Sequence, residues 1–161
     1  PEKFARVFAE AVKQGYLTVA HAGEEGPSSN ITDALDILKV SRIDHGVRCV
    51  DDPQLVSRLI EQQIHLTVCP LSNTKLKVFQ SMEQHSIVEL LRQGVSVGIN
   101  SDDPAYFGGY MNDNFAAVAS SFHTSHLELA KFTANAIDAS FCSIARKDEL
   151  HQNLQHYVDS Q

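Results

Sequence analysis

Four short stretches gather the residues able to move protons or hold metals: His21-Ala22-Gly23-Glu24, Asp44-His45, Ser72-Asn73 and Asp102-Asp103. Imidazoles and carboxylates are common zinc ligands, and they are also the usual general acids and bases near neutral pH. Taken alone, His21 reads as a satisfied core histidine. Gly23 changes that reading, because glycine permits a turn through which His21 and Glu24 face one crevice. Glu24 also fits a carboxylate at a helix start, a role that Glu25 fills better. His45 follows Asp44, which, or another carboxylate, would fix its tautomer as a base or ligand requires; a structural histidine is the other reading. Asp102-Asp103 is the sharpest local feature, since adjacent carboxylates repel unless a cation or a proton sits with one of them. A solvated Asp-Asp-Pro turn competes with it. That turn reading is preferred at Asp51-Asp52-Pro53, where Asp52 caps a helix. Ser72 and Asn73 read as turn residues after Pro70. His65, His85, His123, His126, His151 and His156 read as surface residues away from the shared face.

For the four stretches to share a site, each must close a strand. Short β-prone runs at 17–20, 40–44, 64–68 and 95–100 lead into them. Helical patterns over 1–14, 28–39, 52–62 and 86–92 alternate with these runs, and 114–122, 127–141 and 148–158 read as closing helices. Strands alternating with helices imply parallel pairing through right-handed crossovers, an α/β architecture whose sites lie at the carboxyl ends of the strands. At 161 residues the chain suffices for one domain but falls short of the roughly 250 residues of a complete (β/α)8 barrel.

The 13 Lys and Arg against 20 Asp and Glu give a net charge of −7 with no basic stripe, so a nucleic-acid partner is not expected. No apolar run is long enough for a membrane span, and the expectation is a soluble cytoplasmic protein without a membrane partner. The three cysteines, Cys49, Cys69 and Cys142, form no C-x-x-C pair and read as buried small apolar residues. The chain starts at Pro1, without Met, already in a helical pattern, and is read as a piece of a longer polypeptide.

The ordered set His21-Ala22-Gly23-Glu24, Asp44-His45-Gly46-Val47-Arg48, Cys69-Pro70-Leu71-Ser72-Asn73 and Ser101-Asp102-Asp103-Pro104 resembles the adenosine/adenine deaminase family of the amidohydrolase superfamily. The longer wording around each motif is most similar to the microbial and fungal adenine-directed members. The resemblance implies the C-terminal half of a (β/α)8 TIM barrel, with four parallel strands. It makes His21 and Asp102 ligands of one Zn2+ per full-length chain, Glu24 the proton donor to purine N1 and His45 the activator of water, with Asp103 on purine N7. The implied reaction converts adenine to hypoxanthine and ammonia. Adenosine to inosine is the alternative substrate reading, and a catalytically silent half-barrel a different class. A dihydropyrimidinase-like hydrolase would want a bridging lysine, and Lys75 and Lys77 lie on a loop past the third strand. The family's paired H-x-H ligands have no counterpart here. With two protein ligands, against the three or more usual for catalytic zinc, the isolated chain is expected to bind metal poorly and to be inactive. The N-terminal half, in cis, is then the implied partner, and a homo-oligomer remains open.

Overall fold

The structure, a computed structural model, describes residues 1–160. After a 3-10 turn at Glu2–Phe4, the described elements run α1 (Ala5–Lys13), β1 (Val19–Ala22), α2 (Ser29–Asp36), β2 (Arg42–His45), α3 (Pro53–Glu61) and β3 (Leu66–Val68). They continue as α4 (Pro70–Lys75), α5 (Ile87–Gln93), β4 (Val97–Ile99), α6 (Pro104–Phe107), α7 (Met111–Phe122), α8 (His126–Ala139) and α9 (Ile144–Asp159). The sheet order is β1-β2-β3-β4, all parallel, with His21 level with Asp44 and Asp44 level with Thr67. Sequential parallel order, one strand per step, is the winding of one half of a (β/α)8 barrel.

Period-two alternation decides which residues reach the site. Ile43, Leu66, Val68, Val97 and Ile99 lie in a core with Ile31, Leu35, Leu55, Leu59, Val88 and Leu90 from the helices. Arg42, Asp44 and Thr67 alternate with the buried strand residues and are only half-buried. Asp52 caps α3 as expected, its Oδ1 accepting from the backbone N–H groups of Gln54 and Leu55 at 3.0 and 3.2 Å. At the last strand, α8 lies alongside β4, and the Asn135 amide donates to the Val97 carbonyl at 3.0 Å. Ser96 and Asn100 bond toward β3, so by alternation the Val97 carbonyl points off the opposite edge of the sheet.

Four expectations need correction. The first strand starts later than residue 17, and Leu17 stands exposed, so His21 lies within β1 and not beyond it. Residues 70–75 form a helix: Pro70 takes its first position, where a missing N–H matters least, and Ser72 and Asn73 become fully buried. His65 and His85 are buried core residues and not surface ones. Burial pushes the His65 imidazole down to about 4 and the His85 imidazole to about 3. Cys142 is exposed, whereas Cys49 and Cys69 are buried as expected. Among the described residues no helix is long and apolar enough to cross a membrane.

Candidate active site

Left-handed backbone at two strand ends aims the site. Beyond β1, Gly23 has φ 65°, and an added Cβ there would meet Ile31 Cδ1 at 2.4 Å. Glycine makes this turn without strain or a clash with Ile31, and the turn swings Glu24 over the sheet top. At the end of β2 both His45 (φ 65°) and Gly46 (φ 72°) are left-handed. A bulky residue such as histidine seldom adopts this conformation, and here it accompanies the placement of the His45 ring beside Glu24.

His45, with its side chain 3% exposed, lies between two carboxylates: its Nδ1 is 3.3 Å from Glu24 Oε1 and its Nε2 4.0 Å from Asp102 Oδ2. Its ring meets the His21 ring edge-on, with centroids 4.9 Å apart. Burial, then the neighbouring His21, lowers the His45 pKa, so the imidazole is held neutral. Burial, and then Asp102, raises the Glu24 pKa, so this carboxyl keeps its proton to higher pH than usual. Two neighbouring groups shifted in these directions form an acid beside a base.

Asp102 has φ 57°, and its Oδ2 accepts from the Ser72 hydroxyl at 2.6 Å. Asp103 caps α6, accepting from the Tyr106 N–H at 3.3 Å. Asp44 does not face His45. It lies 3.8 Å from His21 Nε2 and accepts from the Thr67 hydroxyl at 2.6 Å, in the row the register predicts. Asn73 Nδ2 reaches Glu24 Oε1 at 3.3 Å and His45 Nδ1 at 3.4 Å, while its Oδ1 faces His85 Nε2 at 3.3 Å.

The structure thus brings Glu24, His45 and Asp102 together with His21 beside them. Two sets of groups are close enough to share a cation: His21, Glu24 and His45, and His45, Cys69 and Asp102. The expected ligands His21 and Asp102 fall in separate sets joined by His45. The His21 side chain is 69% exposed on the open side of the sheet. Their N and O donors fit a zinc site with room for further ligands. Reading Ser72 and Asn73 as turn residues missed two groups that hold the ionisable ones. The signal available was Pro70: it follows β3 with only Cys69 between, and marks a helix start at the carboxyl end of a strand.

Parallel strands wound in sequence, with a carboxyl, an imidazole and further N and O groups along their carboxyl rim, have the layout of the site face of a (β/α)8 barrel. The comparisons make this specific: the family model for Adenosine deaminase matches residues 1–157, and the chain belongs to that family. An adenine deaminase from Vibrio parahaemolyticus is 62% identical over 158 residues, which are 98% of this chain and 47% of that protein. One from Hahella chejuensis is 55% identical, across 99% of this chain and 48% of its own length. The solved adenine deaminase of Arthrobacter aurescens superposes with a TM-score of 0.97 at 48% identity, over 99% of this chain and 49% of that one. An amidohydrolase from Burkholderia ambifaria, solved with bound Zn, gives 0.89 at 28% identity, over 99% and 46%. The chain spans about half the length of the relatives it matches.

Proposed function

We propose that the protein carrying this chain is a cytoplasmic zinc enzyme of purine metabolism that hydrolyses adenine to hypoxanthine and ammonia. In this reading the chain is one domain, the C-terminal part of the barrel, completed in cis by an N-terminal half. The observation that supports it most is the contact of a buried neutral imidazole with a proton-retaining carboxyl, His45 with Glu24, beside Asp102.

His21 and Asp102 would hold the ion, with further ligands from outside the chain. When bound, zinc supplies a Lewis acid that lowers the pKa of water to about 7. The chain's own groups do the rest. His45 directs an Nδ1 hydrogen to Glu24 Oε1 and offers Nε2, on the Asp102 side, to take a proton from the water that adds to purine C6. Glu24, whose pKa burial raises, gives its proton to ring N1, a step worth about 10²–10⁴ in rate. Asp103 would contact purine N7; His45 hands its proton to the leaving amine, ammonia leaves C6, and the C6 hydroxyl proton goes back to the Glu24 carboxylate. Ser72 holds the Asp102 carboxylate in register.

The test is to assay the full-length protein with adenine and with adenosine while measuring its zinc, beside the 161-residue chain. Turnover of adenine alone with about one zinc per full-length chain is expected, and the chain alone is expected to be inactive. Turnover of adenosine alone moves the substrate, and no zinc with no turnover removes the enzyme reading in favour of a silent half-barrel.

A further inference from the structure

His85 is buried outside the set of groups the deamination uses, yet it is bonded to that set through a single side chain. Its Nδ1 accepts from the Ile87 backbone N–H at 3.1 Å, so this nitrogen carries a lone pair. With the ring neutral, the proton belongs on Nε2, which faces Asn73 Oδ1 at 3.3 Å. A donor here settles the amide orientation. The oxygen of Asn73 must face His85, and its nitrogen then lies on the side of Glu24 Oε1, to which it donates, and of His45 Nδ1. The opposite orientation sets N–H against N–H at His85 and puts an oxygen against the Glu24 carboxyl. The Phe79 ring, 4.3 Å from that of His85, packs against the imidazole.

We propose, building on the adenine deaminase reading, that His85 is a positioning residue: acting through Asn73, it holds the acid Glu24 and the base His45 in one geometry. A flipped Asn73 would turn its oxygen toward His45 and would compete with Glu24 for the Nδ1 hydrogen.

The experiment uses the full-length zinc-loaded protein and the variants His85→Leu, His85→Gln, Asn73→Ala and the double variant His85→Leu/Asn73→Ala. A glutamine places its amide nitrogen near where Nε2 stood and keeps the donor to Asn73. The expected result is a fall in kcat for adenine of about 10–100-fold in His85→Leu, with KM within about twofold. His85→Gln recovers most of the loss, zinc content is unchanged, and His85→Leu adds nothing once Asn73 is alanine. Additive losses, a change in KM alone, or no recovery by glutamine overturns the proposal. A readout free of turnover separates this failure from that of the parent reading. In nitrogen-15 histidine spectra, His85 should hold the Nε2–H tautomer from about pH 5 to about pH 8. A proton on its Nδ1, or titration in that range, overturns the proposal even where adenine is turned over. If adenine is not turned over, the parent reading fails, and the tautomer decides the His85–Asn73 contact by itself.

Discussion

Acid should unfold this protein from the inside, beginning well above the carboxylate range. His65 and His85 are 3% and 2% exposed, and burial holds their pKa values at about 4 and about 3, against 6.5 in an unfolded chain. A histidine depressed in the folded state contributes stability that is whole above pH 6.5 and is lost as pH falls toward the folded value, because only the unfolded chain binds the proton. Each tenfold rise in proton concentration below pH 6.5 removes about 1.4 kcal/mol per histidine. Between about pH 7 and about pH 5 the loss is about 2 kcal/mol for each and about 4 kcal/mol for the pair. His45 adds in the same direction. Glu24, raised in the folded state, works the other way: its contribution is present at low pH and is lost as pH rises through its folded pKa. Urea unfolding in EDTA, so that metal release adds no pH dependence, measures the difference. With a urea slope of about 2 kcal/mol/M, the midpoint should fall by about 2 M from pH 7 to pH 5. Replacing both His65 and His85 with glutamine should flatten that dependence. A midpoint unchanged across the interval refutes the argument that these imidazoles are buried and neutral.

Three further outcomes follow from the same geometry. Burial holds the Cys49 and Cys69 thiols up at about 12 and Cys142 is exposed, so a thiol reagent should modify only Cys142 in the native chain and all three cysteines after denaturation. Gly46→Ala places a Cβ 2.6 Å from Leu66 Cδ2 at φ 72°, and thermal unfolding should report a loss of about 1–3 kcal/mol. Ser72→Ala removes the 2.6 Å bond that orients Asp102. Chelator competition on the full-length protein should then show zinc held about 10-fold more weakly.

Much of the fold could be read from period alone. Ile43, Leu66, Val68, Val97 and Ile99 sit where short apolar runs between helical patterns put them, and the ionisable groups close those runs. Glu24 and His45 were visible because each is ionisable beside a glycine, and Asp102 because a second carboxylate adjoins it. What escaped was set by distance. Asn73 is a turn-former in its own stretch and becomes a site residue only through Glu24, 49 residues before it, and His45, 28 before it. The burial of His85 depends on the Phe79 ring and on Asn73, and no local pattern announces either. His65 looks like a strand-start surface residue until its Nδ1 meets the Ser96 hydroxyl at 2.8 Å across the sheet. The adoption of φ 65° by His45, a non-glycine residue, had no sequence signature at all.

The Asn135 amide on the Val97 carbonyl bears on how such a chain survives before its sheet is complete. A nascent sheet with an open strand is a template on which another chain can add, and neighbouring ribosomes supply identical chains at close quarters. A helix amide already seated on that strand removes one of the acceptors such an intruder would use, and the helix body crowds the approach. Assembly from the α8 side would then be selective: a strand must bring enough pairing and apolar contact of its own to settle beside a partly occupied edge, which a stray copy of the same sheet is poorly shaped to do.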